Sequence, residues 1–176
     1  MSDLEYLRLT LEQARRSPPQ PTNFCVGALL VSPSSEKPVL VTGYTLECPG
    51  NTHAEQSCFV KLAETHGIDT TGSKGELESH LGRLLPYDTV LYTTMEPCNK
   101  RSPGNLTCVE RILRLQTKDG KAAIKRVVCG VSEPETFVGE NVGRKRLEDA
   151  GIEVVHVSGL EDEILKVATA GHTQPT

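Results

Sequence analysis

Tryptophan is absent from the chain, and three Phe with four Tyr hold aromatics to 4% of its 176 residues. A surface built to stack nucleobases has few platforms here. Charge of one sign is scarce too: 19 Lys and Arg stand against 23 Asp and Glu, a net −4 at pH 7. That balance is too mild, and of the wrong sign, to grip a phosphate backbone through bulk electrostatics. No apolar run approaches the roughly 20 residues that a bilayer crossing takes. The opening Met1-Ser2-Asp3-Leu4-Glu5 carries acids where a secretory signal carries bases. Repeats, low-complexity tracts and long linkers are also missing. The expectation is one cytoplasmic domain over residues 1–170 with a flexible tail at 171–176, and neither nucleic acid nor membrane as partner.

Cysteine, by contrast, is plentiful, at positions 25, 48, 58, 98, 108 and 129. In a reducing compartment these thiols belong in the core or on a metal. Cys25, Cys48, Cys58 and Cys129 stand beside apolar residues such as Phe24, Val26, Phe59 and Val128, which suits packing as small hydrophobes. Cys98 and Cys108 bracket a polar loop rich in Asn, Ser, Pro and Gly that offers a structural thiol little to pack against.

Periodicity lays out the rest. Ser2-Asp3-Leu4-Glu5 reads as a capping box opening a helix from Asp3 to about Arg16, which Pro18, Pro19 and Pro21 bar from continuing. Val26 to Val31 is a buried strand, and Pro38 to Tyr44 can pair with it as a hairpin. Thr52-His53-Ala54-Glu55 again has capping-box spacing, with a helix to about His66 and Gly67 as its stop. Asp69 to Leu85 is mixed, with a short helix at Glu76 to Leu81 as one assignment. Strands follow at Thr89 to Thr93, Ile124 to Val131 and Ile152 to Val157. Between them run helices from Thr107 and from Asn141 to Ala150, and a last helix is capped by Ser158-Gly159-Leu160-Glu161. Strands alternating with helices demand crossovers, so the expected class is α/β: a three-layer α/β/α sandwich around a five-stranded mixed sheet.

One imidazole and two thiols sit at element ends. His53 opens a helix, Cys98 follows a strand and Cys108 opens the next helix. Together they make a three-ligand zinc site whose fourth position stays open to water. Positive helix ends favour thiolate at Cys98 and Cys108. Glu55, two residues from a ligand, is placed as a proton carrier, though its spacing from Thr52 also fits a plain capping role. His53 alone would read as a solvent-facing first-turn residue, and two cysteines nine residues apart lack the short spacer of a zinc knuckle. The conjunction, in this order and on these elements, carries the metal reading.

His53-Ala54-Glu55 with Thr94-Met95-Glu96-Pro97-Cys98 resembles the signature of the zinc-dependent cytidine deaminase superfamily. The resemblance implies its α/β/α core with five strands, zinc as cofactor and dimeric assembly. The family's second cysteine usually comes two residues after the first. The stretch Asn99 to Thr107 that parts Cys98 from Cys108 resembles instead the pyrimidine deaminases of riboflavin biosynthesis. Asn23-Phe24-Cys25-Val26-Gly27-Ala28, Ile124 to Val128, Gly130 to Pro134, Gly143 to Leu147 and Ala150 to Val154 are similar to the deaminase half of the bacterial deaminase/reductases, out to about Val157. Arg101-Ser102-Pro103-Gly104-Asn105 with Cys108 to Ile112 is nearest the fungal type, and a stand-alone deaminase is expected.

The implied reaction is hydrolytic loss of the 2-amino group from a 2,5-diamino-6-(ribitylamino)pyrimidin-4-one 5′-phosphate, or its ribosyl form, with Glu55 shuttling the proton. Asn23 and the backbone carbonyl of Ala54 match positions that hold the pyrimidine. Lys100, Arg101 and Asn105, in the longer loop, are placed to meet the ribityl chain or phosphate, Arg by its planar fork; a solvated loop is the plainer reading. Three alternatives stay open: a deaminase of another base, nucleoside or nucleotide, a tRNA-editing deaminase, and a non-catalytic zinc-stabilised module.

Overall fold

The computed structural model describes residues 1–72, 75–132 and 142–172. Helix α1 (Asp3–Ala14) starts at the expected box: the Glu5 N–H donates to Ser2 Oγ (3.2 Å) and the Ser2 N–H to Glu5 Oε2 (2.6 Å). Strands β1 (Gly27–Val31) and β2 (Val39–Tyr44) form the antiparallel hairpin. Then come α2 (Ala54–Thr65), α3 (Glu76–Leu81), β3 (Val90–Met95), α4 (Cys108–Arg114), β4 (Arg126–Val131), α5 (Val142–Asp149), β5 (Glu153–His156) and α6 (Glu161–Ala168). The sheet order is β2-β1-β3-β4-β5. β3 is antiparallel to β1 and parallel to β4, and β4 is parallel to β5. The two parallel steps are the α4 and α5 crossovers, and the expected mixed sheet of five strands is present.

Every residue of β1 is buried, and its side chains alternate between two cores. Ala28 and Leu30 join Phe59, Leu62, Ile112 and Leu147 beneath α2, α4 and α5. Leu29 and Val31 join Leu7, Leu11 and Ile164 beneath α1 and α6. Phe59 is wholly buried, so truncation to Ala would cost about 3–5 kcal/mol. α2 lies unusually close on β2: a Cβ on Gly43 would stand 2.5 Å from the Ala54 carbonyl oxygen and 2.8 Å from Cys58 Sγ. Buried Glu78 of α3 accepts from Arg111 Nη1 of α4 at 2.6 Å, tying the helix that begins at Cys108 to its neighbour. No described helix is long and apolar enough to cross a membrane.

Two expected caps do not form. The N-cap of α2 is His53, one residue later than the sequence spacing suggests, and its side chain makes no capping bond. Thr52 instead donates its hydroxyl to the Cys48 carbonyl at 3.0 Å. Glu55 therefore sits at the second helical position, from which a box with Thr52 cannot close. At α6 the N-cap is Leu160, again without a side-chain cap, and Glu161 Oε2 accepts from the Gly159 N–H at 2.8 Å. Of the sequence segments singled out above, Ser73, Lys74, Glu133, Pro134, Asn141 and residues 173–176 lie outside the described residues. Gly171 and His172, counted in the expected tail, are described, and His172 is packed on Phe24.

Candidate zinc and catalytic site

His53 reaches the site because an N-cap residue has extended backbone (φ −81°, ψ 162°), which turns its imidazole away from the helix. Cys98 follows β3 by three residues, and its carbonyl accepts from the Val109 N–H at 3.1 Å. Cys108 is the first residue of α4, whose Thr107–Glu110 capping box forms as expected. The result is a tight triad: His53 Nδ1 lies 3.5 Å from Cys98 Sγ and 3.4 Å from Cys108 Sγ, and all three donor atoms are within 4.8 Å of one another. A tetrahedral zinc with Zn–N and Zn–S bonds of about 2.0–2.3 Å sets such atoms roughly 3.5–3.8 Å apart, so the donor set fits zinc in type and spacing.

The electrostatics favour the same ion. The Cys98 thiol is pulled down to about 4, first by the hydrogen bond that the Cys108 thiol donates to it, with burial opposing and His53 assisting. Cys108 is pushed well up, because it is the donor of that bond and because it is buried. The two shifts reflect one proton shared between the thiols, which a bound dication would displace. The Cys108 N–H, at the head of α4, points at Cys98 Sγ (3.4 Å) and adds its own stabilisation.

Glu55 is only 3% exposed. Its Oε1 accepts from Thr93 Oγ1 at 3.0 Å and its Oε2 lies 3.4 Å from Cys108 Sγ. Neither oxygen closes a box with Thr52, and the carboxyl faces Thr93 and the Cys108 thiol. Burial pushes it up from the ordinary carboxylate range, and the Cys98 charge adds to that rise. A carboxyl so placed can hold a proton as well as accept one.

His53, Glu55 and Cys98 line a cavity of about 350 Å³ together with Asn23, Ala54, Lys100 and Arg101. Seven of the eight positions singled out from sequence besides Cys108 thus meet here, namely Asn23, His53, Ala54, Glu55, Cys98, Lys100 and Arg101. The Ala54 carbonyl packs over Gly43, and it is the first-turn N–H groups of α2 that lack intrahelical acceptors. Arg101 turns back into the protein: its guanidinium donates to Gln56 Oε1 and the Leu106 carbonyl, each at 3.2 Å, and to the Asn51 carbonyl. Asn105 is exposed, gives its N–H to the Ser102 carbonyl at 3.1 Å and does not line the cavity. Sequence reasoning missed Thr93, whose only signal was a hydroxyl inside an apolar strand, and missed Thr22, Phe24 and Asn51 on the cavity wall.

A buried carboxyl beside a His/Cys/Cys triad at the ends of a strand and two helices defines a zinc-binding deaminase centre. The chain belongs to the family described as cytidine and deoxycytidylate deaminase zinc-binding region, whose model matches residues 1–130. It is 33% identical over 168 residues to the diaminohydroxyphosphoribosylamino-pyrimidine deaminase of Schizosaccharomyces pombe, a match covering 96% of this chain and 35% of that protein. The chain therefore spans about a third of the length of that curated relative. It is also similar to the Aspergillus oryzae Rib2 deaminase solved in complex with DARIPP, with 42% identity, TM-score 0.81, and 97% and 91% of the two chains covered. The deaminase/reductase of Thermotoga maritima, at 23% identity and TM-score 0.65 over 96% of this chain and 40% of that one, shares the fold.

Proposed function

We propose that the protein hydrolyses the 2-amino group of a 2,5-diamino-6-(ribitylamino)pyrimidin-4-one 5′-phosphate, or its ribosylamino form, releasing ammonia in riboflavin biosynthesis. The observation that carries this reading is Glu55, buried and bonded within the site instead of capping its helix. The printed name of the Schizosaccharomyces relative and the DARIPP complex of the Aspergillus one support the substrate class.

His53, Cys98 and Cys108 would hold a zinc ion, which when bound would supply the Lewis acidity that makes water ionisable near neutral pH. Glu55 takes one proton of the attacking water and delivers it to a ring nitrogen as the new C–O bond forms at C2. It then carries the second water proton to the amine, which leaves as ammonia while the C2 carbonyl forms. Asn23 and the N–H groups at the head of α2 orient the ring. Lys100, exposed on the cavity rim, meets the phosphate; Arg101, committed to Gln56, Asn51 and Leu106, holds the loop that presents Lys100. Mild negative charge and few aromatics keep the surface unsuited to nucleic acid. A cytosolic homodimer completes the reading, to be checked by sizing the zinc-loaded chain.

Ammonia release from the ribityl and ribosyl pyrimidine phosphates, compared with cytidine, deoxycytidine monophosphate and guanine, tests it. Turnover of either pyrimidine phosphate with little on the others is expected. Turnover confined to the others overturns the substrate, and no ammonia from any of them, with zinc bound, overturns the enzyme.

A further inference from the structure

Residues 18–26, between α1 and β1, have neither helix nor strand to hold them, yet Thr22, Asn23, Phe24 and Val26 form one wall of the cavity. A wall without a ladder of its own must be fixed from outside. Thr45, the residue after β2, supports one end, where the Val26 N–H reaches Thr45 Oγ1 at 3.0 Å and the Thr45 N–H the Val26 carbonyl at 3.0 Å. Cys25 Sγ also donates to the Ser17 carbonyl at 3.8 Å, and among the described residues the other hydrogen bonds to the wall come from the far end of the sequence. The Cys25 N–H donates to the Ala168 carbonyl at 3.0 Å, at the end of α6. His172 Nε2 lies 2.9 Å from the Asn23 carbonyl, an acceptor only, so that nitrogen carries the proton. The His172 ring tilts against Phe24 with centroids 5.0 Å apart at 58°. Gly171 passes so close to the Gln20 backbone that a Cβ would collide with it.

We infer that the turn after α6 is a latch on the substrate wall, with His172 a positioning residue that sets Asn23 and Phe24 by a hydrogen bond to one and a ring contact to the other. His172 is absent from the cavity lining, so it acts through the wall. The latch fixes where the pyrimidine rests and leaves the proton chemistry at Glu55 untouched. A loosened wall therefore weakens substrate binding and spares the chemical step, raising KM while kcat holds. Only this kinetic expectation rests on the proposed function; the mechanical one does not.

Amide hydrogen exchange over residues 20–26 and steady-state kinetics on the zinc-loaded full chain test the proposal together. His172→Ala should speed exchange in that segment roughly tenfold and raise KM by a similar factor, the combined scale of a neutral hydrogen bond and an aromatic contact. His172→Gln, which keeps a donor near Nε2, and His172→Phe, which keeps the ring, should each recover part of both effects and serve if the Ala variant does not fold. Gly171→Ala should loosen the same segment by steric expulsion. Unchanged exchange in His172→Ala overturns the latch; faster exchange with KM unmoved, or a fall in kcat alone, overturns its role in the site. If wild type turns over no pyrimidine phosphate, the functional reading fails, and exchange still decides the latch.

Discussion

Thr93 offers the sharpest test of how Glu55 handles its proton. The hydroxyl is fully buried and has two acceptors, Glu55 Oε1 at 3.0 Å and the Met95 carbonyl at 2.9 Å, but only one hydrogen. With Glu55 ionised, that hydrogen is best spent on the carboxylate. With Glu55 protonated, the carboxyl donates to Thr93 Oγ1 and the hydroxyl turns to Met95. The pair can thus follow the proton on and off Glu55 without leaving a buried polar atom unmet. Thr93→Val keeps the shape and removes both donor and acceptor. A hydrogen bond to a charged group is worth about 1.5–3 kcal/mol, which corresponds to roughly 10- to 150-fold in rate if it is lost mainly in the transition state. Steady-state ammonia release should show kcat reduced within that range, zinc content by metal analysis should be unchanged, and Thr93→Ser should restore most of the rate. A Val variant with wild-type kcat, or a Ser variant as slow as Val, would refute the reasoning.

Glu55→Gln should keep the fold and the zinc but lower turnover by roughly 10² or more, the scale for losing a general acid/base, whereas Cys108→Ala should lose the metal itself; metal analysis and ammonia release on the two variants make the comparison. Lys100→Ala should raise KM for the 5′-phosphate and spare its dephosphorylated analogue, while Arg101→Ala, by freeing the loop from Asn51 and Gln56, should weaken both; the opposite ranking would make Arg101 the phosphate ligand. Far from the site, Arg126 and then Tyr92 hold the Asp3 carboxyl below its usual range by hydrogen bonds, against the opposing effect of burial. That stabilisation is complete above the unfolded carboxylate pKa near 4 and is lost as pH falls through the lower folded value. Asp3→Asn should therefore flatten the acid side of the stability profile, read as urea midpoints between about pH 5 and pH 2.

The elements and their order were legible because each carries a local pattern: the Ser2 and Thr107 boxes, the apolar run ending at Val31, and the 3.6-residue spacing of Val109 and Ile112. His53, Cys98 and Cys108 were legible because their residue types are costly to explain otherwise and each falls at an element end. What escaped depends on contacts between residues far apart in the chain. Thr93 meets Glu55 across 38 positions and His172 meets Asn23 across 149, and nothing near either residue announces the partner. The partners of Arg101, namely Asn51, Gln56 and Leu106, are set by how the loop folds back on α2, which its charge alone does not announce. The cap of α2 was misread by one residue because Thr52 spends its hydroxyl on Cys48.

Gly43 has no functional group, lies on the edge strand and is not among the residues that line the cavity. Still, its bare Cα sets the clearance between β2 and the first turn of α2. That turn carries Glu55, with His53 two residues earlier as its N-cap, while Cys98 follows β3 and Cys108 opens α4. Any side chain at 43 would jack the first half of the centre away from the second, displacing a ligand and the proton carrier by the same vector. Such a protein would keep every reactive group and lose their registration, so its defect would surface as weak metal retention in a chain whose chemistry is intact on paper.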